Sequence, residues 1–472
     1  NRMVITKNGG NTTINHSNMN SVQNILTDSG GVTNINNSNL TATTTAINDE
    51  GSTNVDNCNV IGPTYGVYSY TTQNGSYSNS TISSDSVTFY KYNRDSTQTI
   101  TNTDLLNSYV YNDKGTLNIT GGKITSGGLI GNILVNKATT NIKGAIIEDI
   151  YNKPLEAYIY YRDYNSISNT SNLTFEDVDY SMISDHSGTF WMINNSGTFT
   201  SINSNYDIER KRNFSYYSDH WYVYGIYNTN KVIMSNNDTT KGIKLYDTSG
   251  TTSPITRFYG IRNLNASTSD IDGTMINIDG GYLSYDLSHE SSSTSNTLKN
   301  INFIVKEDEC GYEIPNGYGT YLNIGHITVE TGNIDIKATT ARGIYVNEAS
   351  AEFTLGVEDG SGLQTADVSI TNPLIQAIGT TTGIGLETNN GMLKYYDGKI
   401  IGNTHAKPNT TNVVDKYYEA TTYYDSTNDY EYCILEYMKA VTNKNNMSAS
   451  IYDLEYKSDV YYSTINEAIE RA

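Results

Sequence analysis

The sequence predicts an all-β protein, a right-handed parallel β-helix, and three observations predict it. A ten-residue pattern of alternating apolar and polar residues recurs at a spacing near 20. Its apolar positions stay apolar from copy to copy, and the position between its two strand-like halves is held mostly by Asn or Gly. Fixed short β-rich motifs at such a period are the mark of a solenoid, in which each repeat buries its apolar face only by stacking on the next.

Eight copies can be aligned in the N-terminal part of the chain. They are GNTTINHSNM from Gly10, GVTNINNSNL from Gly31, GSTNVDNCNV from Gly51, QNGSYSNSTI from Gln73, STQTITNTDL from Ser96, GTLNITGGKI from Gly115, ATTNIKGAII from Ala138 and SNLTFEDVDY from Ser171. The fifth position reads Ile14, Ile35, Val55, Tyr77, Ile100, Ile119, Ile142 and Phe175. The tenth reads Met19, Leu40, Val60, Ile82, Leu105, Ile124, Ile147 and Tyr180. Side chains alternate along a strand with period two, so these are expected to face inward, each stacked on its equivalent one coil away.

The eighth position is mostly small: Ser17, Ser38, Cys58, Ser80, Thr103, Gly122 and Ala145, then Val178. The seventh, between the strands, reads His16, Asn37, Asn57, Asn79, Asn102, Gly121, Gly144 and Asp177. Asn and Gly tolerate the left-handed backbone that a sharp bend requires, which makes His16 a bend residue rather than a ligand. Cys58 falls in the small column. Three cysteines, Cys58, Cys310 and Cys433, without a CxxC spacing, do not form a disulfide framework.

A second pattern, a short apolar strand followed by Asn, supplies a third face. It occurs at Ala46-Ile47-Asn48, Leu134-Val135-Asn136, Met192-Ile193-Asn194, Gly225 to Asn228, Gly260 to Asn263 and Gly343 to Asn347. Coils of about 23 residues over 1–410 give about 18 turns and a rod on the order of 85 Å long. Longer loops are expected at 154–170, 206–224, 284–299 and 305–320. Three segments follow: 1–402 as the rod, 403–462 as a Tyr-rich β tail, and 463–472 as a short helix with Ser463 as its N-cap.

Composition supports a thin core shared among many short strands. The 472 residues are only 17% charged and 36% hydrophobic, yet 41 are Tyr, which argues against disorder. A net charge of −20 disfavours nucleic acid and anionic lipid as partners. No run approaches the roughly 18 apolar residues of a membrane span.

Glycoside hydrolysis needs two carboxylates across a cleft, and the alignment offers no such column. Asp177 and Asp179 stand alone beside Asn, Gly and Lys in neighbouring copies. The densest cluster of charge and aromatics is Asp207, Glu209, Arg210, Arg212, Tyr216, Tyr217, Asp219, His220 and Trp221, a candidate glycan- or partner-binding loop. The outward run Tyr158-Ile159-Tyr160-Tyr161 is a candidate lateral contact. No catalytic residue, metal ligand or cofactor is expected.

Residues 351–402 carry a further pattern in Phe353, Leu355, Gly356, Asp359, Gly360, Pro373, Leu374, Ile375, Gly383, Ile384, Gly391, Tyr396, Asp397, Gly398 and Ile400. This stretch resembles the repeat of large cell-surface proteins of Gram-positive bacteria, and the closing YYSTINEAIERA resembles the helix that opens a further module in them. The resemblance implies an exported, wall-anchored or fibre protein of the pectate-lyase-like superfold, and implies no activity. The expectation is therefore a structural or adhesive rod at the cell surface, self-associating or continuous with covalent neighbours in a longer chain, with a glycan or host surface as a further partner. The alternative is a polysaccharide-binding or polysaccharide-degrading β-helix, since the superfold also hosts lyases and hydrolases.

Overall fold

The computed structural model describes residues 2–107, 109–126, 132–150, 164–184, 188–211, 221–248, 256–290, 295–306, 314–357, 373–406, 413–414, 418–437, 449–453 and 458–462. The backbone winds through three strands per coil. In one coil Val32–Asn36 forms the first face, the chain turns at Asn37, and Asn39–Asp49 runs on as the second and third faces. In the next coil the same path is split into Ser52–Asp56, Asn59–Ile61 and Tyr65–Ser69. The first faces stack into a 16-stranded sheet from Asn11–Asn15 to Val413–Val414, with every neighbouring pair parallel from the Asn11–Asn15 pairing to the Val413–Val414 pairing. Sixteen such strands replace the expected 18 turns, because insertions between faces lengthen many coils. At ~4.8 Å per coil the stack is about 75 Å long.

Register follows the repeat. Ile14 lies opposite Ile35, Ile35 opposite Val55, Val55 opposite Tyr77, and Tyr77 opposite Ile100. The column continues through Ile119, Ile142 and Phe175 and on through Met234, Ile271, Leu298, Val329 and Leu355. On the second face Leu40, Val60, Ile82, Leu105, Ile124 and Ile147 pair in succession. The third contributes Ile25, Ile47, Val67, Phe89, Val110 and Leu134. All of these are buried, so the apolar core is a narrow bore running the length of the coil.

The bends between first and second faces explain the two remaining columns. His16, Asn37, Asn57, Asn79, Asn102 and Asp177 have φ between 46° and 52°, and Gly121 and Gly144 lie at 65° and 61°. Each bend turns the chain within one residue, and Asn57 donates its amide to the Asn37 side chain one coil away at 2.7 Å. The small column that follows is a set of hydroxyl clasps. Ser80 Oγ accepts the Cys58 N–H at 2.9 Å and donates to the Ser78 carbonyl at 2.6 Å, so corner polar groups are satisfied without water. Cys58 occupies the same slot, buried as a free thiol.

The Asn of the second pattern is one residue out of phase in three places. Along the third face the inward polar column runs through Asn112, Asn136, Asn169, Asn195, Asn228 and Asn263. Asn136, Asn169, Asn195 and Asn228 each donate to the next side-chain oxygen at 2.7–2.8 Å. Asp49, Asn195 and Val346, not Asn48, Asn194 and Asn347, hold the inward position in their coils. The strand's alternation fixes this phase, and an Asn-Asp, Asn-Asn or Val-Asn pair leaves it ambiguous in sequence.

Glycine lets the third face approach the second. Gly225 and Gly260 follow one another in one column, and a Cβ on Gly260 would lie 2.4 Å from Ile276 Cγ2 and 2.6 Å from the Asp286 carbonyl. The four expected loops are therefore too long. Tyr164–Asn169, Asn205–Arg210, Trp221–Asn228, Leu283–His289 and Asn316–Leu322 are strands that overlap them, and their inward positions mix Ile, Val, Leu and Tyr with Ser, Asn, Asp, Gly and Arg, which blurs the apolar period. Beyond residue 402, Val413–Val414 pairs with Lys394 and Tyr395 on the first face.

The tail is a hairpin on the rod. Tyr418–Asp425 pairs antiparallel with Tyr430–Tyr437, and the latter pairs antiparallel with Lys399–Gly402, setting Ile400 against Cys433. Cys433, Ile434 and Leu435 are buried against it. Strands Ala449–Asp453 and Ser458–Tyr462 form a separate antiparallel pair. The expected helix at 463–472 lies outside the described residues.

Candidate functional site

The outward side of the third face carries the most distinctive surface. Trp191, Tyr224, Tyr259, Tyr285 and Tyr318 occupy one register position in successive coils. Their rings overlap at centroid distances of 6.1, 4.8, 4.9 and 4.8 Å with interplanar angles of 11° to 23°. The coil rise of ~4.8 Å brings equivalent rings into offset stacking, so the period of the fold itself builds the stack.

Two arginines close over it. Arg262 grips Glu290 through Nε at 2.9 Å and Nη2 at 2.6 Å, donates from Nη1 to the Tyr224 hydroxyl at 2.7 Å, and lies 5.1 Å from the Tyr259 ring centroid. Arg342 bonds Glu387 through Nε at 2.5 Å and lies 5.3 Å from the Tyr318 centroid. Burial raises the Tyr224 and Tyr259 hydroxyls above the ordinary tyrosine range despite Arg262 beside them. A second tyrosine cluster, Tyr68, Tyr90 and Tyr111, covers the third face of earlier coils, with centroids 5.5 and 4.7 Å apart and Lys137 over Tyr111.

Stacking closes the ring faces that a sugar would otherwise cover, and each guanidinium is neutralised by a glutamate. Tyr224 and Tyr259 are buried beneath these groups, Tyr285 and Tyr318 are half-buried, and Arg257 reaches the Tyr259 hydroxyl and lies over Tyr222, so the stripe offers ring edges with cationic groups beside them. It can form hydrogen bonds and edge contacts along the axis.

Segments 151–163, 185–187, 212–220, 249–255 and 307–313 each join a second-face strand to the third-face strand that follows, so their ends meet the coil at one corner.

Asp207, Glu209 and Arg210 lie on the second-face strand Asn205–Arg210. Arg210 is buried, pairing Asp247 at 2.5 Å and Thr256 Oγ1 at 2.5 Å, and so holds a coil corner instead of facing a ligand. Glu209 accepts from Thr248 and pairs with Lys211 at 3.2 Å. Trp221 begins the strand Trp221–Asn228. Arg212, Tyr216, Tyr217, Asp219 and His220 lie outside the described residues, as do Tyr158 to Tyr161 and Cys310.

The motif of residues 351–402 is a corner. Phe353 and Leu355 face inward, Gly356 has a φ of 85°, and a Cβ there would lie 2.3 Å from the Asp397 Cβ. Asp397 accepts the Val357 N–H at 2.9 Å, and Gly398 turns beneath Pro373. Asp359 and Gly360 lie outside the described residues.

Carboxylates withdrawn from solvent lie inside the coil: Asp49, Asp149 and Asp286 are fully buried and raised by desolvation. Among the described residues no group of three or more His, Cys, Asp or Glu is placed to hold a metal ion. No protein family matches the chain, and no curated sequence is significantly similar to it.

The tyrosine stack was missed in the sequence, although a signal existed. Tyr-Gly-Ile at 224–226 and 259–261, with Tyr-Asp-Leu at 285–287 and Tyr-Gly-Thr at 318–320, places Tyr one residue before the close-approach column each time.

Proposed function

We propose that the chain is the structural or adhesive rod of a bacterial cell-surface or extracellular fibre protein. The observation that carries this reading is the uninterrupted in-register stacking of the inner columns over sixteen coils, which gives a long body whose interior is wholly committed to holding its own length. The resemblance of residues 351–402 to Gram-positive surface repeats supports the same assignment, and those residues that are described build a corner. The tyrosine stripe of the third face, with the guanidiniums beside it, is the surface offered to a neighbouring subunit, a glycan or a host surface.

The test is electron microscopy of native cell-surface material with an antibody raised to this chain. Labelled rods or fibres on the cell exterior are expected. Labelling confined to the cell interior, or release of oligosaccharides from polysaccharide incubated with the purified protein, would overturn the reading in favour of an intracellular role or a degradative enzyme.

A further inference from the structure

A chain of hydroxyls runs through the interior of the first three coils and ends on a buried acid. Thr6, Thr27 and Asp49 occupy one register position on the third face, and Thr33 and Thr53 occupy another on the first. Across the corner between these faces, Thr6 Oγ1 lies 2.8 Å from Thr33 Oγ1, which is 2.7 Å from Thr27 Oγ1. Thr27 Oγ1 is 2.8 Å from Thr53 Oγ1, and Thr53 is 2.8 Å from Asp49 Oδ1. All five side chains are at most 2% exposed.

Counting protons shows what this geometry does. There are four links and four hydroxyl protons. In the structure Thr53 donates to Asp49, Thr27 to Thr33 and Thr33 to Thr6. With Asp49 ionised, Thr53 must keep its donation to the carboxylate, and filling all four links then requires the other hydroxyls to turn, so that Thr27 donates to Thr53, Thr33 to Thr27 and Thr6 to Thr33. With Asp49 protonated there are five protons for four links. The carboxyl can then donate to Thr53, the chain runs the other way, and the Thr6 hydroxyl keeps a proton to donate beyond it. Such chains act cooperatively, since each hydroxyl that reverses obliges its neighbour to reverse.

We infer that Asp49 is a proton switch for the first three coils, its protonation setting the donor direction of the hydroxyl chain and so the tightness with which the Arg2–Thr6 strand is held. The groups facing the carboxyl are few. Thr53 and the Gly51 N–H approach it from its own coil and the next, Tyr77 faces it one coil further on, and the nearest charge is Glu50. Lys91 lies two coils along the same column, tied to the Arg94 and Lys114 carbonyls. Burial lifts Asp49 to about 7, which puts its titration at neutral pH.

The test is hydrogen exchange on the full chain at pH 5.5 and 8.5, corrected for intrinsic exchange rates, with the strand Gly332–Val346 as internal control. In the wild type, amides of 2–36 are expected to lose about tenfold or more protection at the higher pH, while the control strand does not. Asp49→Asn should abolish that difference. Thr53→Val keeps the acid but cuts the chain, so pH dependence should persist around Asp49 and vanish at 2–6. Equal protection of 2–36 at both pH values in the wild type would sink the proposal, as would unchanged pH dependence in Asp49→Asn. Should Asp49→Asn fail to fold, Thr53→Val decides: pH dependence retained at 2–6 counts against the hydroxyl chain.

Discussion

At the scale of single residues, the buried polar groups set how this protein responds to its surroundings. Asp49 ionises near 7 in the folded chain against an ordinary value of 3.8, because burial penalises its charge more than Thr53 and Gly51 relieve it. The folded state therefore binds this proton more tightly than the unfolded one. Its contribution is fully present below about pH 4 and is lost as pH rises toward 7, on the order of 4 kcal/mol in total. Asp149 and Asp286 are shifted in the same direction. Urea denaturation of the wild type should thus show a midpoint that falls from pH 5 to pH 8, and Asp49→Asn should flatten part of that slope. Asn195 is a different case, a neutral amide with every proton engaged: it donates to Asn228 Oδ1, the Gly197 carbonyl and the Lys231 carbonyl. Asn195→Ala removes the 2.7 Å acceptor of the Asn169 amide and the donor to the Gly197 and Lys231 carbonyls, and should cost about 1–3 kcal/mol in the same measurement. In sequence, the apolar columns and the bend residues could be read directly, since Ile, Val and Asn recur there with little variation. The buried acids could not, because nothing in Asn48-Asp49 or Tyr285-Asp286 says which of two alternating residues points inward.

Among the elements, the third face combines two demands that the other faces meet separately. Inside, glycines at 225 and 260 let its backbone come close to Ile243 and Ile276 of the second face. Outside, the residue just before each glycine is the tyrosine of the stack. The two columns therefore belong to one local design, and the ring spacing is a consequence of coil rise rather than of any ligand. Tyr259 contacts rings on both sides and the Arg262 guanidinium. Tyr259→Ala should destabilise by about 2–3 kcal/mol, and Tyr259→Phe by much less, because aromatic pairs contribute roughly 0.5–1.5 kcal/mol each beyond area. Paired denaturation curves check this, and equal losses in the two variants would show that the hydroxyl, not the ring, matters. Within the candidate loop at 207–221, Arg210 departs from a solvent-facing position for a related reason, because it finds Asp247 one coil on and goes inside. A salt bridge between residues 37 apart has no trace in local sequence.

For the whole molecule, repetition made the fold legible and obscured its ends. A pattern that recurs eight times predicts a column, and the columns stand where the alignment put them. The C-terminal hairpin recurs nowhere, so only its alternation could be read, and its docking on Lys399–Gly402 depended on contacts with no earlier copy. That docking covers the backbone edge of the last second-face strand, and an uncovered edge is a template for pairing with other chains. Deleting 418–437 should convert a species of uniform size into concentration-dependent assemblies in sedimentation velocity. A variant that sediments as the parent does would show that the hairpin does not guard that edge.

The hairpin also gives the rod a direction. Every second-face strand before it points the same way, and the strand Tyr430–Tyr437 points the opposite way. A further coil laid on that flank would meet a mismatched hydrogen-bond pattern, since antiparallel and parallel ladders space their bonds differently. Whatever joins the protein along its axis must therefore treat the two extremities as unlike surfaces, in the way that a plug and a socket are unlike, and an array built from it would carry an inherent sense of up and down.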